Sequence, residues 1–320
     1  IASSLMTTHP SAASTPAKTL AKNNPIHSPM KMIPILRFAS LVTLAVFLLL
    51  QPAGAATYTY TNSSANATDQ WGAGTNWSAA PVSASDTQLT FISPNTTVFG
   101  DGLTINANND NVGTFQLNSL TLQGTQSTTT NSTFNITGNA LQFVSNNATT
   151  PVLNLNALSP NAGRLTYNIS NNVAFANNTL ITGNGSAVLN LTGTLSGTGS
   201  ITKTGTSKVF LGNSTASNNL NNKFLYSGDI NVNGGTLGTN NNGDLFTKSK
   251  LTITTGATFE LNGNMAVFSI FGTAGTLGTA SGGARTLYVN YTGTDPTAGF
   301  TGSITSSSSG VNVFALGSGN

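Results

Sequence analysis

Three features of the sequence predict an all-β chain wound as a right-handed parallel β-helix or solenoid, with an antiparallel β-sandwich as the alternative. Short stretches of period-two alternation recur from Leu89 to Leu316, rich in β-branched and aromatic residues. Most of these stretches stop at Gly or Asn, the residues that turn a chain at a corner. The span 161–295 holds no proline, although the chain has 11. Proline lacks the N–H that a ladder needs, so a long proline-free region suits continuously paired strands.

The individual stretches follow in order. They include TQLTFI (87–92), FQLNSLTLQG (115–124), STFNITG (132–138), PVLNLN (151–156), RLTYNIS (164–170) and AVLNLTG (187–193). KVFLG (208–212), DINVNG (229–234), KLTITTG (250–256), TFELNG (258–263) and TLYVNYTG (286–293) continue the series. No segment after Ala56 shows a sustained i, i+3, i+4 apolar pattern, so no long helix is expected. Asn-Gly pairs at 184–185, 233–234, 242–243 and 262–263 are the main hairpin signals. In a coil, Asn at the corners has a second use, since its amide can bond the same position one rung away. Rungs of this kind would number about ten at ~4.8 Å each.

Only 6% of the 320 residues are charged, against roughly 25% in an ordinary globular protein. Hydroxyl and amide side chains must therefore form the wet surface. The net charge of +3 comes from the first fifty residues, where Lys18, Lys22, Lys31 and Arg37 meet no Asp or Glu. From Ala56 onward, seven Lys and Arg face eight Asp and Glu, a balance of −1. Nucleic-acid binding, which needs a clustered basic surface, loses its support.

Residues 30–55 have the layout of a secretory signal peptide. Lys31 and Arg37 precede the apolar stretch Phe38–Leu50, and the small residues Ala53, Gly54 and Ala55 supply a cleavage site. Thirteen residues are too few to span a bilayer, which takes ~20. Residues 1–29 read as a disordered or mis-called extension, with Met30 or Met32 as the start. The mature chain contains no cysteine, so packing and hydrogen bonds must hold it outside the cytosol. Residues 56–92, with Trp71 and Trp77, form an expected N-terminal cap region, and 93–320 the solenoid. Trp71 and Trp77 have two readings, as a cover for the open end of the coil or as rings that stack on sugar.

The clearest repeat is 193–238, GTLSGTGSITKTGTSKVFLGN followed by an Asn-rich insert and FLYSGDINVNGGTLG. It resembles the autotransporter-associated β-strand repeat, also called the passenger-associated transport repeat. The matching positions are Leu195, Gly197, Gly199, Ile201, Lys203, Gly205, Leu211, Tyr226, Gly228, Ile230, Val232, Gly235 and Leu237. The insert 214–224 departs from the family, which passes directly from Asn to Tyr. A looser copy starts at 299–320. The opening DQWGAGTNWSAAPVSASDTQLTF (69–91) looks like the start of exported bacterial proteins that carry these repeats.

The resemblance implies a β-helical passenger-like protein, secreted or at the surface of a Gram-negative outer membrane, with repeats that aid export and stacking. It implies no catalytic residue, cofactor or metal. The implied partners are the export machinery and glycans or other surface components, with membrane contact only through the signal peptide or a C-terminal anchor. No alternating barrel follows the repeats, which leaves a fragment, a released protein or another route of attachment.

Apparent enzyme motifs fail on inspection. GTGSIT (197–202) has Thr202 where a dinucleotide fold needs its third glycine. SITKTG (200–205) makes Lys203 serve two lysine motifs at once. NANNDNVG (106–113) lacks the spacing and closing Glu of a calcium loop. His9 and His27 are the only histidines and both precede the cleavage site, so the mature chain has no Ser-His or Cys-His pair to build. Carboxylate chemistry remains. Asp229, Asp244 and Glu260 lie roughly one rung apart, so a β-helical polysaccharide-binding or polysaccharide-degrading protein is the alternative function.

Overall fold

Alternating inward apolar and outward polar residues suit a strand, and many such strands in one chain need a shared interior. The computed structural model provides it by coiling. It describes residues 55–62, 68–93, 97–99, 102–126, 130–159, 164–212, 224–240, 244–279, 284–289, 299–306 and 310–315. Residues 1–54, which hold the extension and all but the last residue of the signal peptide, lie outside the described residues, as do 214–223 of the insert and the 242–243 Asn-Gly pair. The described residues are all β-strand and connection, without helix.

Strands return in parallel to the same few sheets. An eleven-stranded sheet runs from Thr57–Tyr60 to Val311–Ala315, and a ten-stranded sheet from Thr68–Gln70 to Ser303–Ser306. A five-stranded sheet runs from Phe115–Leu117 to Phe224–Tyr226, and Val98–Phe99 pairs with Thr125–Gln126. Every ladder between these strands is parallel. This removes the antiparallel sandwich and makes the chain a parallel β-helix. Antiparallel pairing among the described residues is confined to single bridges, Tyr60 with Trp77 and Asn146 with Thr149.

One rung visits the five-stranded sheet at Leu195–Gly197, the eleven-stranded sheet at Ile201–Lys203 and the ten-stranded sheet at Lys208–Leu211. After Tyr226 the described strands alternate between the two larger sheets alone. Rung length varies. Val173 pairs with Leu195 and Thr179 with Ile201, each 22 residues on, whereas Ile201 pairs with Ile230 across the insert. Thr258 pairs with Thr276 after only 18. Corners absorb most of these differences, and a bulge between Phe246 and Lys250, where the offset to the next strand falls from 21 to 19 residues, absorbs the rest.

The interior is built from stacked columns. On the eleven-stranded sheet Leu89, Leu120, Leu153 and Ile181 occupy consecutive positions of one column, all fully buried. On the ten-stranded sheet Ile105, Phe134, Tyr167, Leu189, Val209, Leu237 and Phe259 form another. Asparagine corners run alongside. The Oδ1 atoms of Asn172, Asn178 and Asn184 accept the backbone N–H of Thr194, Ser200 and Thr206 at 3.1, 2.9 and 3.1 Å.

The coil begins earlier than residue 93. Thr57–Tyr60 and Gln88–Phe91 are already paired strands of the eleven-stranded sheet, because their alternation continues that of the later rungs. The 56–92 region therefore supplies the terminal strands of the two larger sheets. Trp71 and Trp77 sit inside the coil, 0% and 6% exposed, with ring centroids 5.4 Å apart and edges against Phe115 and Phe91.

Candidate functional site

The residues singled out by the repeat fall on two consecutive rungs. Leu195, Ile201, Lys203 and Leu211 point inward on the first, and Tyr226, Ile230, Val232 and Leu237 on the second. All eight are at most 2% exposed. The motif glycines occupy corners. A Cβ on Gly205 would lie 2.4 Å from the Gly183 carbonyl oxygen, and one on Gly235 would lie 2.4 Å from that of Gly205. Both have φ in the left-handed region, +67° and +61°. Gly199 and Gly228 stack in the same way at the preceding corner, where an added Cβ would meet a carbonyl oxygen at 2.1 Å.

Gly197 has a different use. It separates Phe175 from Tyr226 in one column of the five-stranded sheet. With no side chain between them, the two rings approach to 6.0 Å, edge to face. That contact carries the Tyr226 hydroxyl to the corner between the five- and eleven-stranded sheets. The oxygen accepts the Ile201 N–H at 3.0 Å and lies 2.9 Å from the carbonyl oxygens of both Gly199 and Asp229. Its single proton serves those two acceptors. Burial pushes the phenol well above its usual range, against the smaller opposing effect of the Ile201 N–H.

Lys203 holds the next corner. It takes the place in the aliphatic column between Ile181 and Val232 and is 0% exposed. Its Nζ donates to the carbonyl oxygens of Thr204, Gly205 and Gly234 at 2.6, 3.2 and 3.3 Å. Three donors meet three acceptors, so the ammonium is satisfied without a carboxylate. Burial lowers its pKa from 10.5 to about 8. Sequence reasoning placed Lys203 in the motif and missed its direction. The signal was present, since Ile201 and Lys203 are two apart and must share a face.

The outer faces are polar and almost uncharged. Asn106, Asn135, Asn168 and Asn190 follow one another across the ten-stranded sheet, each Nδ2 donating to the Oδ1 of the preceding one at 2.9, 3.0 and 2.9 Å. Beyond them the column continues with Phe210 and Gly238, and the Phe210 ring lies over the glycine. Lys208 joins this region to Glu260 by an ion pair of 2.9 Å and lies 4.9 Å above the Phe210 ring.

Comparison with protein-family models, curated proteins and solved structures finds no match. The chemistry therefore rests on the residues themselves. Asp229 precedes a strand of the eleven-stranded sheet and faces Lys250 at 3.9 Å, whereas Glu260 lies in the ten-stranded sheet beside Lys208. Of the three carboxylates spaced roughly one rung apart in the sequence, Asp229 and Glu260 are thus on different sheets, because the corner after Val232 separates them. Asp244 opens the strand Asp244–Ile253 of the eleven-stranded sheet. Among the described residues no group of three or more His, Cys, Asp or Glu side chains converges. The buried indoles of Trp71 and Trp77 offer solvent no ring face, and their N–H groups have no conventional acceptor among the described residues. What the motif rungs can do is hold backbone corners together from inside.

Proposed function

We propose that the chain is an exported, non-catalytic β-helical protein of passenger type, serving as a structural or adhesive scaffold at the cell surface or in secreted form. The observation that carries this reading is the motif itself. Its apolar side chains pack the interior, its glycines stack at corners, and its two polar side chains, Lys203 and Tyr226, bond backbone carbonyls within the coil. The motif thus serves the coil rather than a reacting molecule. The signal-peptide layout of residues 30–55 supports export.

Expression with the leader in a Gram-negative host tests the reading directly. Expected is a processed chain beginning after Ala55 or Ala56 outside the cytosol. An unprocessed cytosolic product would overturn export. A second reading, binding of a neutral polysaccharide, is favoured by the uncharged amide row from Asn106 to Asn190. A glycan array with the mature chain separates binding from pure scaffolding. Depolymerisation that disappears in Asp229→Asn would show an enzyme instead.

A further inference from the structure

Asn-Gly pairs are chemically fragile because a glycine nitrogen, unshielded by a Cβ, can reach the neighbouring asparagine Cγ. Three of the four pairs after the leader are described, and their surroundings differ. Gly185 donates its N–H to the Leu155 carbonyl at 2.9 Å. The Asn184 Oδ1 accepts from Thr206 N at 3.1 Å and is 3.4 Å from Thr206 Oγ1. Asn262 donates to Glu260 Oε1 at 3.4 Å, and Gly263 beside it is buried. Asn233 is exposed. Neither its side-chain amide nor the Gly234 N–H has a hydrogen-bond partner among the described residues.

We infer that Asn233 is a site of spontaneous deamidation selected by the fold. The Gly234 nitrogen gives up its proton to water and bonds Asn233 Cγ. The bond from Cγ to the amide nitrogen then breaks, and ammonia leaves with the proton. The resulting five-membered succinimide takes up one water, which opens either imide C–N bond to give aspartate or isoaspartate at position 233. No oxidant or cofactor enters the balance.

The place gives the modification a consequence. The Gly234 carbonyl is one of the three that hold the Lys203 ammonium. An isoaspartyl link inserts an extra carbon into the main chain just before that carbonyl, at a corner where Gly235 is already stacked on Gly205. The cradle must shift. The aspartyl product instead places a carboxylate one residue from a carbonyl bound by an ammonium that has no carboxylate partner among the described residues.

The test is peptide mass mapping of the purified mature chain after incubation at mildly alkaline pH, with isoaspartate quantified by enzymatic methylation. Position 233 should deamidate about tenfold or more faster than 184 and 262, since each of those must first release hydrogen bonds worth ~1–1.5 kcal/mol. In urea the three rates should converge. Gly234→Ala should slow the reaction at 233. Its Cβ would lie 3.3 Å from the Gly205 backbone nitrogen and oxygen, a tight contact relieved by a shift of a few tenths of an ångström, and circular dichroism checks that the coil still forms. Equal rates in the folded protein, faster reaction at 184 or 262, or a preference for 233 that survives in urea would each overturn the inference.

Discussion

At Lys203 an ammonium occupies a position that neighbouring rungs fill with leucine, isoleucine or valine. Its folded pKa of about 8 lies below the unfolded value of 10.5. Between those values the unfolded chain binds more protons, so stability rises with pH across that window. The rise should reach about 1.5 kcal/mol between pH 8 and 9.5, read from urea midpoints. Lys203→Met should flatten it. Measurements stay below pH 10 because Tyr60, Tyr167 and Tyr226 have raised folded values. Their contribution is complete below the unfolded tyrosine pKa and is lost as pH climbs above it. Tyr226→Phe tests the other corner at neutral pH. It should cost ~1–3 kcal/mol, since Gly199 loses its buried partner while Asp229 keeps the Ile201 N–H at 2.8 Å.

Strands and corners obey different rules in this coil, and the glycines show it. Gly205 and Gly256 both have positive φ, +67° and +78°. A Cβ on Gly205 would meet the Gly183 oxygen, whereas one on Gly256 meets nothing within 4 Å. Gly256→Ala should therefore cost only the backbone strain, ~1 kcal/mol, and Gly205→Ala at least about 3 kcal/mol, compared by thermal unfolding. The asparagine row offers a third test. Asn168→Ala removes both its bond to Asn135 and the acceptor of Asn190, and should cost ~1–2 kcal/mol with the fold retained by circular dichroism. Strands were the legible part of the sequence. Alternation in RLTYNIS and AVLNLTG gave the buried positions Leu165, Tyr167, Ile169, Leu189 and Leu191 directly. Rung boundaries were less legible, because rung length changes from 22 to 18 residues through corners and through the bulge in Asp244–Ile253. That variation also hid which carboxylates share a sheet.

Across the whole molecule, cohesion comes from stacking and hardly from charge. Two ion pairs occur among the described residues, and Lys250 with Asp229 is a loose, half-exposed one. Raising salt from low to about 0.5 M should therefore move the unfolding midpoint by less than ~0.5 kcal/mol. A larger shift would mean that long-range charge holds the rungs. The parallel coil was foreseeable because absence of proline and recurrence of corners act over the whole length. The place where it begins was not, since Trp71 and Trp77 look alike from sequence whether they close an end or fill a rung. The insert carries one more consequence. Phe224–Tyr226 joins the ladder opposite Leu195–Gly197 and Thr236–Thr239 joins opposite Lys208–Leu211, as though the extra residues after Gly212 were not there. Lengthening the chain between Gly212 and Phe224 leaves the ladder partners on either side unchanged. The corner offers lineages and engineers alike a socket where new sequence can be carried without renegotiating the fold.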